Sequence, residues 1–142
     1  MKLSSIAGTQ GIGFAQETFV GKASEDIAKG DLVQCLLTAL EPDDDISISI
    51  ASVFTHGIYG IALEAITNGK RGLCCLSGKV EAKAGATEAT LGKQLMGEAG
   101  GGLVQLTGND VACVGLAVDA GTDGSLHTVI FDGFQLDNHG TT

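Results

Sequence analysis

Two carboxylates carry the strongest invitation to chemistry in this chain. Glu64 and Asp119 hold the same place in a phrase used twice without a gap, GIALEAITNGKRGLCCLSGKVE from Gly60 and GLAVDAGTDGSLHTVIFDGFQL from Gly115, at an offset of 55 (Gly60 to Gly115). Equivalent positions in related halves can meet across a pseudo-twofold axis, where one carboxyl serves as acid and the other as base. The simpler expectation is an acidic residue at a strand end that accepts backbone N–H groups of the turn that follows. Cys74 and Cys75 suggest redox chemistry, yet the second copy has Val129 and Ile130 in their places. The repeat is its own control: these positions accept plain hydrophobes, and packing explains the thiols. Neighbouring strand residues face opposite sides. Cys35 and Cys113 add no zinc spacing, so all four cysteines are expected reduced and buried, as small hydrophobes of a chain made in a cytoplasm.

The remaining candidates are weaker still. His56, His127 and His139 sit in unlike contexts, no Gly-x-Ser-x-Gly elbow occurs, and no Ser-His-Asp or Cys-His set can be placed. Asp43 to Asp45 lack the alternating spacing and terminal glutamate of a calcium loop and read as a solvated turn. GIGF at Gly11 lacks the strand before it and the helix after it that a phosphate loop requires. The expectation is a protein that is not an enzyme, with no catalytic residues, no metal and no cofactor.

The elements that would position these residues are strands. Lys29-Gly30-Asp31 is a turn launching a strand from Leu32 to Leu37, and ISISI from Ile46 alternates cleanly, as a half-buried strand does. Strands are expected at Ile58 to Leu63 and Leu73 to Leu76, with Gly78 ending the second run, and a further hairpin over Val111 to Phe131 turns at Gly121 to Gly124. Glu88 to Gln94 is the best short helix candidate, weakened by Gly92. It reads equally as extended, because IAKGDLVQ from Ile27 resembles ATLGKQLM from Ala89 at an offset of 62 (Ile27 to Ala89). Each copy is then a Gly-led strand, a loop and a hairpin. The fold class expected is all-β: a compact β-barrel or sandwich of two related β units with at most one short helix. The domain plan is an extended N-terminal arm at 1–25, a β domain at 26–136 with repeat copies at about 27–81 and 89–136, and a polar tail at 137–142.

Composition limits the partners. The 142 residues suffice for one domain, burying roughly 70% of the surface the unfolded chain exposes. Twenty-two glycines, one proline and 4% aromatics fit small β-type side chains and many turns. A mean hydropathy of +0.26 points to a dry core or to apolar surface covered by a partner, and a homo-oligomer is the favoured form. A formal charge of −9, with eight scattered Lys and Arg, argues against nucleic acid as a partner. No run approaches the roughly 18 apolar residues of a membrane span, and residues 1–14 lack an apolar signal core, so no membrane partner is expected.

The order of the motifs resembles one broad group of capsid decoration, or cement, proteins of tailed bacteriophages. KGDLVQC from Lys29, GIALEAITNG from Gly60, LGKQLM from Leu91, VGLAVDAGTDG from Val114 and the closing TVIFDG follow that group's sequence of strand starts and phrases over roughly residues 27 to 134. Lys93 stands where the group usually has Asp, and the first 25 residues match nothing in its pattern. The resemblance implies a noncatalytic protein that forms homotrimers and binds the major capsid protein. It would sit on the outer surface of the virion after synthesis in a bacterial cytoplasm, clamping neighbouring shell subunits. An arm that adds a strand to a neighbour suits this role, and Leu3, Ile6, Ile12, Phe14 and Phe19 are the expected capsid or intersubunit contacts. The competing reading is a receptor- or glycan-binding β module of a phage tail or fibre. Such modules display aromatics for stacking on sugars, whereas Tyr59 is the sole tyrosine and tryptophan is absent.

Overall fold

The structure, a computed structural model, describes residues 15–36, 46–52, 57–86, 90–107 and 111–136. Short runs of β-branched and small residues between glycine turns make strands here, and nine follow one another among the described residues. They are β1 (Glu17–Ala23), β2 (Leu32–Leu36), β3 (Ile46–Ile50), β4 (Tyr59–Ala62), β5 (Arg71–Lys83), β6 (Gln94–Glu98), β7 (Gly102–Gln105), β8 (Cys113–Ala117) and β9 (Leu126–Leu136). Among the described residues there is no helix. The described part of the helix candidate is a turn at residues 91–92 and the opening of β6 at Gln94. Gly92 decides this locally, because its φ of 82° belongs to a tight turn and would break a helix.

All nine strands form one sheet in the order β1-β3-β2-β4-β5-β9-β8-β6-β7, and β1 also pairs with β5. That extra pairing closes β1, β3, β2, β4 and β5 into a five-stranded barrel, which removes the sheet edges. The remaining strands nearly close a second ring on β5: β9 pairs along β5 from Ser77 to Lys83, and β7 returns to the end of β5 through the parallel bridge Ala84–Leu103. Gly85 N–H donates to Leu103 O at 2.9 Å beside that bridge. β5 therefore serves both rings.

The repeat extends to the hydrogen bonds. In the first unit β2 pairs antiparallel with β3 and β4, and β4 with β5; in the second β6 pairs antiparallel with β7 and β8, and β8 with β9. The fifth strand also recurs, since β1 lies antiparallel to β5 and parallel to β3, as β5 lies to β9 and β7. Matched bonds follow: Gly30 N to Ala62 O and Gly92 N to Ala117 O, each 2.8 Å; Gly69 N to Ala23 O at 2.7 Å and Gly124 N to Ala84 O at 2.9 Å. The turn glycines match too, with φ of 90° and 82° at Gly30 and Gly92 and of 84° and 79° at Gly69 and Gly124. β6 follows β2 at an offset of 62 (Val33 to Leu95), and the later strands follow at 55 (Ile48 to Leu103). The first unit's extra residues therefore fall between β2 and β3.

Each ring has its own interior. Ala23, Val33, Ile48, Ala62 and Cys74 fill the first, and their counterparts Ala84, Leu95, Leu103, Ala117 and Val129 are buried in the second. Leu32, Tyr59, Ile61 and Cys75 point out of the first barrel and share a cluster with Val80 and Phe131 of the second. The adjacent cysteines thus face opposite sides of β5, as strand alternation requires. At the seam Asp31 is buried: its Oδ2 accepts Ala28 N–H at 2.9 Å, and Oδ1 lies 3.1 Å from Lys83 Nζ, which donates to Gly100 O at 2.7 Å.

Two local expectations need restating. Within the segment read as an arm, Glu17–Ala23 is β1 and closes the first barrel, while residues 1–14 lie outside the described residues. Gly78 does not end its strand; β5 runs on to Lys83, with Gly78 at φ 117° beside the bulge where β1 begins. The polar tail 137–142 also lies outside the described residues.

Candidate interaction surface

The residues that could do chemistry are engaged in structure. Glu64 Oε2 accepts Leu73 N–H and Asp119 Oδ1 accepts Thr128 N–H, each at 2.9 Å. Both carboxylates thus cap the start of the strand that follows, in matching positions of their own units. The four cysteines are free, and burial pushes the Cys35 and Cys75 thiols up to about 11 and Cys74 to about 12. Cys113 is raised for the same reason. Such thiols stay protonated at neutral pH and are poor nucleophiles. His127 is buried, with Nδ1 3.1 Å from Asp119 O and Nε2 without a partner. Among the described residues no three of His, Cys, Asp and Glu gather to hold a metal ion. His56 and His139 lie outside the described residues.

Apolar surface is the more distinctive feature. At one end of the first barrel a cleft of about 160 Å³ is lined by Phe19, Cys35, Ile46, Ile58, Leu76 and Phe134, with no polar atom at its surface. Phe134 is 60% exposed there, an unusual state for a phenyl ring in a chain with five phenylalanines. Three of these residues, Phe19, Cys35 and Ile46, are partly buried members of the first barrel's core, so the cleft is that barrel's open mouth. Elsewhere Val20 and Leu73, paired across β1 and β5, are 51% and 39% exposed on the outer wall. On the second unit Leu116 is 36% exposed beside its cross-strand neighbour Ile130.

Of the expected contact residues, Leu3, Ile6, Ile12 and Phe14 lie outside the described residues. Phe19 is half-buried on β1 and lines the mouth. Sequence reasoning misses Ile58, Leu76 and Leu116, which it places in ordinary strands, and Phe134, which lies beyond the hairpin expected over Val111 to Phe131. The repeat itself offers one surface contrast, Leu73 against Thr128, apolar in the first unit and polar in the second, and the strand pairings add Val20 against Glu81.

No protein-family model and no curated protein sequence matches this chain. Among solved structures, the chain is similar to "The crystal structure of head fiber gp8.5 N base in bacteriophage phi29", with a TM-score of 0.61 over 87% of this chain and 99% of that one, at 20% sequence identity. At that identity the likeness is one of fold: this chain has the fold of the phi29 head-fibre N base.

Proposed function

We propose that this chain is a structural protein of a bacteriophage head, a capsid decoration or cement protein that binds the outside of the shell as a homotrimer and stabilises it. The observation that carries the reading is the fold shared with the N base of a phage head fibre over 87% of the chain. The order of motifs over residues 27 to 134, which resembles phage decoration proteins, supports it independently. The engaged carboxylates and protonated thiols fit a protein whose work is binding, and the open apolar mouth supplies surface for it. Cementing needs no tight single contact, because several weak contacts on one rigid body add through effective concentration. The major capsid protein and other copies of the chain are the proposed partners.

Quantitative mass spectrometry of purified particles from the source tests this. A ratio near one copy per major capsid protein is the expected result. A handful of copies would favour a receptor- or glycan-binding module of a tail or fibre, and absence from particles would overturn the reading.

A further inference from the structure

We infer that copies of this chain associate head to tail, the wall of the second barrel of one copy covering the open mouth of the first barrel of the next. The chain already contains this contact once. Inside it, the wall residues Leu32, Tyr59, Ile61 and Cys75 of the first barrel cluster with Val80 and Phe131 at the matching mouth of the second. Leu32 N–H donates to Gly101 O across the junction at 2.8 Å.

The repeat identifies the equivalents of both faces. The mouth residues Phe19, Cys35, Ile46, Ile58 and Leu76 correspond to Val80, Gly97, Gly101, Cys113 and Phe131. All five of the latter are buried in the second unit, and all five of the former are only partly so. The wall gives the complementary result. Leu32, Tyr59, Ile61 and Cys75 are all buried, while of their counterparts Gln94 and Leu116 are exposed, Ile130 is half-buried and Val114 alone is covered. One mouth and one wall are therefore joined within the chain, while one apolar mouth stays open and one wall keeps Leu116 and Ile130, beside Gln94, at its surface.

A second copy is the occupant that fits both, because the contact already made inside the chain joins the equivalents of these two faces. The contact is heterologous: repetition of one step closes into a ring or runs on as a filament. The number of subunits, three, rests on the proposed function; three chains would place six units in one ring. The pairing of faces rests on the repeat alone.

The test uses the full chain and light scattering after size exclusion, with circular dichroism to show that each variant is folded. Leu116→Glu places a charge on the open wall and Phe134→Glu places one at the open mouth, both at exposed sites. Each variant alone is expected to run as a monomer under conditions where the unaltered chain is a trimer. Mixed in equal amounts they should give a one-to-one dimer and nothing larger, since the first keeps its mouth and the second keeps its wall. Trimers that survive both substitutions, variants that stay monomeric on mixing, or an unaltered chain that is monomeric at high concentration would overturn the inference. Copy number in particles is a separate readout, so failure of the capsid reading leaves this result standing, and the reverse also holds.

Discussion

In the first barrel the wall formed by Leu32, Tyr59, Ile61 and Cys75 is covered and the mouth is open; in the second the mouth is covered and the matching wall is open at Gln94 and Leu116. The strand pairings are the same in both, down to the bonds that fix the turns. What differs is which neighbour each face meets, and the residues follow the neighbour. Leu32 and Ile61, under cover, become Gln94 and the partly exposed Leu116. Asp31, buried beside Lys83 at the seam, becomes the exposed Lys93, which has no seam to face. Topology is set by glycine turns and alternation, whereas side-chain identity is set by what lies across the face.

Close backbone approach at the seam is the most severe place to break this pattern. Gly78 and Gly133 are equivalent, yet a Cβ at Gly133 would run into Tyr59 O and lie 2.8 Å from Leu76 O, both carbonyls of paired strands. At Gly78 the obstacles are Ala15 O at 2.6 Å and Gln16 Cα at 2.8 Å, at an exposed chain segment ahead of β1. Carbonyls locked in a ladder cannot give way, and a segment ahead of its strand can shift. Gly133→Ala is expected to cost about 3 kcal/mol or more. Gly78→Ala should cost about 1–2 kcal/mol, mainly for its left-handed backbone. Urea unfolding midpoints compare the two, and equal losses would mean that the seam is no stiffer than the start of β1.

A second difference is an exchange of volume. In the first unit Ile66 packs over Gly72; in the second the same two places hold Gly121 and His127, and the imidazole fills the space that the isoleucine fills. A Cβ at Gly121 would lie 2.7 Å from Ala84 Cβ and 3.0 Å from His127 ring atoms. Gly121→Ile alone is therefore expected to destabilise by about 2 kcal/mol through overpacking. Adding His127→Gly should restore part of that loss, the contact with Ala84 remaining, and it also removes the partnerless buried Nε2. A double-mutant cycle measured by denaturation reads the coupling directly. If the paired variant is no better than Gly121→Ile, the two corners do not share one packing solution.

This exchange also marks what was legible in the sequence. The all-β class, the two related units and their punctuation could be read because turn glycines and alternating runs are local signals, and Gly60–Gly115 and Ala62–Ala117 align without help. The Ile66/Gly72 and Gly121/His127 swap was visible as mismatches but could not be interpreted, since nothing local says that the two positions touch. The sharing of β5 was hidden for a related reason. Its second half, Ser77–Lys83, repeats the pairing role of β1, but Phe19 and Val80, Gly21 and Ala82 share that role and little of their identity. Reading residues 1–25 as an arm followed from the glycine-broken pattern of its start. The strand at its end is held by pairing to β5, which is distant in sequence. Of the interaction surface, Phe19 is the part that the sequence identifies among the described residues. Phe134 and Leu116 are conspicuous only once the faces that cover their neighbours are known.

The thiols supply the mildest contrast between the units. Cys74 and Cys75 stand where the second unit has Val129 and Ile130, and burial raises the Cys74 thiol to about 12 and Cys75 to about 11 from the ordinary value of 9.0. Because the folded state holds these protons longer than the unfolded chain, the effect is absent below pH 9. As the pH rises from there, ionisation of the unfolded chain lowers stability until the folded thiols titrate as well. At pH 10 the loss is roughly 1 kcal/mol for each buried thiol. Cys74→Val, which copies the second unit, should flatten the decline between pH 9 and 11 relative to the unaltered chain while leaving stability at pH 7 within about 1 kcal/mol. The contrast in urea midpoints at pH 7 and pH 10 is the measurement. An unchanged slope would mean that the alkaline loss comes from other groups and that the two units are alike in this respect too.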